Sequence, residues 1–260
     1  MTDVMIVFGS ASDKDTYLPL VDSVKKAGLS YEFKVLSAHK TPRELRQAVA
    51  DTNASIFIAG AGLAAALPGV VAAEQLRPVI GLPCEAAFSG LDSFLSSSQM
   101  PPDIPVIAVG VGKAARAVDL CIDYLHGMNE IVLVKKDSGL EKKYFEKCKS
   151  FMEENKIPFA IGVASKKTDH SKVYIEFTEL GKKFKENQNT IIRVLVKEKT
   201  DKKDSLKFFD QLQDSYSVAL NSYKNAAIAA LQLMNVRGRQ NDLLSTIRRK
   251  AAQKVLDSND

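Results

Sequence analysis

Tryptophan is absent from this 260-residue chain, and cysteine occurs only three times. No apolar run reaches the ~18 residues that a membrane-spanning helix needs, and no secretory leader opens the sequence. Cys84, Cys121 and Cys148 lie far apart without metal-ligand spacing, which speaks against a disulfide framework or a metal site and for a reducing, cytoplasmic setting. No indole ring is present to stack on bases. The formal net charge of +5 comes from lysine and arginine pairs such as Lys135-Lys136 and Lys182-Lys183, scattered among acids. That distribution reads as a solvated basic surface, so neither nucleic acid nor a membrane is expected as a partner. The hydrophobic share of 45% and charged share of 26% leave ample material for a buried core.

Periodicity is what the chain has in abundance. Val4-Met5-Ile6-Val7-Phe8 is a continuous apolar run, as in a strand buried on both faces of a parallel sheet. Leu18, Leu20, Val21 and Val24 then recur at helical spacing until Gly28, a good helix stop. Further strands are expected at 31–36, 54–59, 79–83 and 104–109, with helices from Pro42 to about Ala50 and from Lys113 to about Leu125. Strand alternating with helix predicts α/β: a three-layer αβα sandwich around a parallel, flavodoxin-like doubly wound sheet. The pattern then restarts. Glu130 to Leu133 matches Met5 to Phe8, residues 141–155 match the first helix, and Ile157 to Val163 matches the second strand. The fold is therefore read as duplicated, with residues 1–128 as one unit and 129–260 as a degenerate repeat.

In such sheets ligands sit beyond the carboxyl ends of the strands, so the loops there carry the chemistry. Gly9-Ser10-Ala11-Ser12-Asp13 places two hydroxyls and a carboxylate at a helix start. Free N–H groups there suit a phosphate, although plain capping by Ser12 or Asp13 would explain the residues equally well. Ser37-Ala38-His39-Lys40-Thr41-Pro42 carries an imidazole and a cation into the next helix, with Pro42 at a position where its missing N–H costs nothing. Gly60 and Gly62 would let a ligand approach the backbone. Gly60-x-Gly62-x-x-Ala65 also satisfies a dinucleotide fingerprint. It stands in the wrong crossover, however, and Pro68 would start the helix too late, which disfavours a nicotinamide enzyme. In the repeat, Val134-Lys135-Lys136-Asp137-Ser138 replaces the first loop and Ser165-Lys166-Lys167-Thr168 the second. Residues 192–199 are read as the counterpart of the glycine loop, now without glycine. Copy two is thus expected to bind no substrate.

These motifs, together with Leu67-Pro68-Gly69, Ser89-Gly90-Leu91-Asp92-Ser93 and Gln99-Met100-Pro101, resemble the PurE family of purine biosynthesis over residues 4 to about 126. The family places a carboxylate on the ring carbon of aminoimidazole ribonucleotide and uses no metal or organic cofactor. By resemblance, His39 is the catalytic acid/base. Ser10, Ser12 and Asp13 hold ribose and phosphate, and Lys40 contacts phosphate. Ser37, Ala38, Gly60, Ala61 and Gly62 shape the pocket around the imidazole and the carboxylate or CO2. The family's mutases usually have arginine after the motif histidine and a second histidine before Leu-Pro-Gly; here those positions are Lys40 and Ala66. That departure makes a carboxylase taking CO2 directly the first expectation, with the mutase as alternative and an idle nucleotide-binding module behind both. The partners implied are a ribonucleotide and CO2, and the family's octamers imply a homo-oligomer here, a tetramer of fused pairs.

Overall fold

The structure is a computed structural model that describes residues 2–63, 65–185 and 187–259. Its first half runs β1 (Val4–Phe8), α1 (Lys14–Lys26), β2 (Tyr31–Val35), α2 (Pro42–Asp51), β3 (Ile56–Ala61), α3 (Leu67–Glu74), β4 (Val79–Pro83), α4 (Leu91–Ser98), β5 (Ile107–Ala108) and α5 (Ala114–Gly127). The second half runs β6 (Glu130–Val134), α6 (Gly139–Glu154), β7 (Ala160–Gly162), β8 (Lys172–Glu179), β9 (Thr190–Val196), α7 (Asp204–Leu212), β10 (Tyr216–Ser217), α8 (Tyr223–Leu233) and α9 (Asn241–Leu256). Local chemistry sets the ends. Gly28 ends α1 with φ +71°, a left-handed conformation that glycine adopts without a Cβ penalty, and Pro42 occupies the first turn of α2.

The ten strands among the described residues join one sheet in the order β2-β1-β3-β4-β5-β10-β9-β8-β6-β7. Neighbours are parallel throughout except at the middle, where Ser217 of β10 pairs antiparallel with Ala108 of β5. Read outward from this seam, both halves have the same strand order, which is the doubly wound, flavodoxin-like arrangement expected. In the first half β1, β3 and β4 are apolar on both faces because helices cover both. On one face, Ile6, Phe8 and Leu20 share a continuous core with Leu133, Ile175 and Val194 of the second half. On the other, Val7 and Ala59 are covered by Leu45 and Val49 of α2 and Val71 of α3. Each such aliphatic side chain contributes roughly 1.5–3 kcal/mol through burial. No described helix is long and apolar enough to cross a membrane.

Several expectations change. The strand expected at 104–109 shortens to Ile107–Ala108. β8 was not anticipated, and residues 190–196 form β9, the partner of β8 over seven positions, rather than a loop. By sheet position β9 is the counterpart of β4, so the counterpart of the glycine loop is 180–189, which does contain Gly181. Among the described residues of the second half no helix separates β7 from β8 or β8 from β9, so loops stand there in place of the layer that α2 and α3 build in the first half.

Candidate active site

The carboxyl ends of β1, β2, β3 and β4 meet around a cleft of about 680 Å³. Its wall contains Ser10, Ser12 and Asp13 after β1, Ser37 to Lys40 after β2, and Ala61 and Gly62 at the end of β3. Nine of the ten expected substrate and catalytic residues therefore come together. The exception is Gly60, which is not in the wall: a Cβ there would lie 2.3–2.8 Å from the Phe8 ring, so its lack of a side chain makes room for Phe8 rather than for a ligand. Its carbonyl accepts the Gly9 N–H at 3.0 Å and ties the first and third loops together. A larger groove of about 760 Å³ runs between α6, α8 and α9, but its lining of Lys147, Glu154, Lys250 and similar residues gathers no acid/base constellation.

Each loop is held by its own small polar residues. Ser10 caps the short turn Ala11–Asp13, its Oγ accepting the Ser12 N–H at 3.1 Å and lying 2.7 Å from Ser12 Oγ. Asp13 stands at the N-cap of α1 but makes no side-chain cap bond there, so its carboxyl is left for the cleft wall that Ser12 also lines. In the second loop Ser37 Oγ accepts the N–H groups of His39 at 3.3 Å and Lys40 at 3.2 Å. Ser37 N–H donates to Thr41 Oγ1 at 2.8 Å, and Thr41 N–H returns a bond to Ser37 O at 3.0 Å. Ser37 and Thr41 therefore clasp the turn, and the exposed His39 and Lys40 side chains stand on a fixed backbone. In the third loop an added Cβ at Gly62 would stand 3.1 Å from Ala86 Cβ and 3.6 Å from Asp13 Oδ1, so glycine keeps that corner open. The Gly60-x-Gly62-x-x-Ala65 stretch includes Ala64, which lies outside the described residues. α3 begins only at Leu67, with Pro68 in its first turn, as disfavours the dinucleotide reading.

Burial raises the Asp13 carboxyl from its ordinary value, opposed by a backbone hydrogen bond from Ser10. Cys84 behind the cleft is pushed up to about 12 by burial and by Asp13, so it remains a thiol and no nucleophile. Glu85 also lines the cleft and is exposed. It was not among the expected site residues, although its place directly after β4 was a usable signal. Ala66, where the family's second histidine would stand, lines the wall at the start of α3.

The corresponding region of the second half is filled. Leu133 and Phe8 face the same side, and the strand registers then put Glu176 in the place of Ala61 and Arg193 in the place of Pro83. Glu176 pairs with the buried Arg193 and with Lys136 at 3.1 Å; Glu141 at the start of α6 adds Lys136 at 3.8 Å and Lys182 at 3.4 Å. Burial and the nearby Arg116 charge bring Arg193 down to about 10, and burial lowers Lys136. The Arg193 guanidinium sits 4.5 Å from the Phe184 ring centre. Charged pairs and an aromatic ring thus occupy the space that the first half keeps open.

Comparison with known proteins matches residues 3–136 to the family model described as AIR carboxylase. The N5-carboxyaminoimidazole ribonucleotide mutase of Methanocaldococcus jannaschii is 41% identical over 143 residues, 55% of this chain and 86% of that protein. The protein of the same name from Pseudomonas aeruginosa is 44% identical over 115 residues, 43% of this chain and 71% of that protein. A crystal structure of Treponema denticola PurE covers 60% of this chain and 92% of its own at 27% identity, with a TM-score of 0.42.

Proposed function

Since the chain belongs to the AIR carboxylase family through residues 3–136, we propose that it serves purine biosynthesis as a mutase, moving the carboxylate of N5-carboxyaminoimidazole ribonucleotide from the exocyclic nitrogen to the ring carbon. The observation that carries this reading is the convergence, inside the matched region, of His39, Lys40, Ser10, Ser12 and Asp13 on one cleft. The relatives' names favour the mutase over direct carboxylation, which was the first expectation from Lys40 and Ala66.

In this reaction the N–C bond breaks to release CO2 and the nitrogen takes up a proton. The ring carbon then attacks CO2, and the hydrogen it carried leaves as a proton. Protons taken and given balance, so a single imidazole suffices: His39 donates to nitrogen in the first step and accepts from carbon in the second. The rigid Ser37–Thr41 clasp supports that role by fixing where the imidazole starts. Lys40, as a compact point charge, and the Ser12 hydroxyl would hold the phosphate. Asp13, whose carboxyl is raised by burial, would accept from the ribose hydroxyls. Residues 129–260 form the degenerate repeat with a filled cleft, so each chain has one site. A tetramer of fused pairs and a cytoplasmic setting complete the proposal, the latter supported by three free buried cysteines.

The test uses purified full-length protein. Turnover of the N-carboxylated substrate, without turnover of aminoimidazole ribonucleotide plus bicarbonate, is the expected result; the reverse would establish the carboxylase that Lys40 and Ala66 suggest. His39→Asn should lose turnover about 10²–10⁴-fold while still binding substrate, and full activity in that variant would end the assignment. Scattering mass should give four chains, and a monomer would refute the assembly.

A further inference from the structure

A second constellation lies at the seam between the halves, away from His39. α5 and the approaches to β8, β9 and β10 enclose a cavity of about 340 Å³. One wall comes from the first half. Arg116 stands over the Tyr216 ring at 4.4 Å, and Tyr216 Oη donates to the Arg116 carbonyl at 3.1 Å, so the guanidinium is held in place. It makes no ion pair among the described residues. Asp119, one turn further along α5, lines the cavity, is exposed and likewise has no partner among the described residues.

The other wall comes from the second half. His170 Nδ1 lies 2.6 Å from Asp123 Oδ1, and Thr190 Oγ1 donates to Asp123 Oδ2 at 2.5 Å. Asp123 is buried and committed to these two contacts, which makes Nδ1 the donor and leaves Nε2 as the free ring nitrogen. Gln188 accepts from Thr168 Oγ1 at 3.4 Å through Oε1, so its amide N–H groups remain available. The cavity therefore offers a fixed cation, an imidazole nitrogen, amide donors and one free carboxylate.

We propose that this cavity binds inorganic hydrogen phosphate. Arg116 calls for an anion, whereas Asp119 penalises any anion that brings no proton. Hydrogen phosphate satisfies both, with two or more acceptor oxygens for Arg116 and Gln188 and one O–H for Asp119. Sulfate and carboxylates at neutral pH have no such proton. A phosphate monoester carries it only below about pH 6.

The three histidines, His39, His126 and His170, make imidazole nitrogen NMR on the full-length chain a direct readout. At constant ionic strength and pH 7.5, inorganic phosphate should shift the His170 signal, while phosphate entering the first cleft would report on His39. Sulfate should need roughly tenfold or higher concentration, because Asp119 would face an anion without a shared proton. Ribose 5-phosphate should shift His170 at pH 5.5 but not at pH 7.5. Arg116→Gln should abolish the phosphate response. If that variant fails to fold, Asp119→Asn keeps the cation and should erase the preference for phosphate over sulfate. A His170 signal unmoved by phosphate, equal responses to sulfate, or a preference that survives Asp119→Asn would overturn the proposal.

Discussion

Replacing Glu176 by alanine separates what the second half does for stability from what the first half does for chemistry. Glu176 keeps only 15% of its side chain exposed, and its partner Arg193 only 8%. Removing one member of a buried pair typically costs 3–5 kcal/mol, because the remaining charge keeps its desolvation penalty. Here the loss is softened. Arg193 retains a bond to the Lys185 carbonyl at 3.2 Å and its place beside Phe184, and Lys136 retains Glu141. The expected destabilisation is therefore at the lower end, about 3 kcal/mol. At 2–4 °C per kcal/mol for a chain of about this size, calorimetry should show a midpoint lower by roughly 6–12 °C. Below that transition, turnover per chain should match the parent, since Glu176 is not in the wall of the first-half cleft. An unchanged midpoint would show that the pair contributes nothing. A loss of turnover in protein that calorimetry shows to be folded would show that the second half does take part in the reaction.

Other perturbations probe other links. Gly60→Ala drives a Cβ into the buried Phe8 ring and should destabilise by about 1–3 kcal/mol in urea melts, with substrate affinity reduced only through the displaced Gly9–Gly60 tie. Gly110→Ala should be harsher, because its Cβ would stand 2.0 Å from the Gln213 carbonyl oxygen, backbone that no rotamer change relieves; faster hydrogen exchange at β5 and β10 would show the seam opening. Asp13→Asn should weaken substrate binding yet raise the melting midpoint at pH 7. Burial raises the folded carboxyl above its unfolded value, so the ionised form opposes folding at neutral pH. The gain should vanish below the unfolded pKa of ~3.9, where both states hold the proton; a gain that persisted at pH 3 would contradict this cause.

Much of the first half was legible because its signals are local. A run such as Val4 to Phe8 is buried on both faces whatever it pairs with, and Gly28 and Pro42 end or start helices through their own φ angles. The Ser37 to Pro42 loop likewise folds on itself through Ser37 and Thr41, so its sequence specifies its shape. β8 escaped notice because Lys172, Glu176 and Glu179 interrupt its apolar alternation, and each charge is met by a partner outside the strand: Glu176 by Lys136 and Arg193, Lys172 by Glu130, and Glu179 by Lys182.

The sequence by itself determined the α/β class and nine of the seventeen residues that line the cleft, since each rests on short-range periodicity or a loop motif. Tertiary structure alone decided that the halves fuse edge to edge through Ser217 and Ala108, that Gly60 serves Phe8, and that charge pairs close the second cleft. It also brought Arg116 and Asp119 of α5 opposite His170. Those outcomes depend on pairings between residues tens to a hundred positions apart. Strand register and the burial of one charge against another exist only once the sheet has closed.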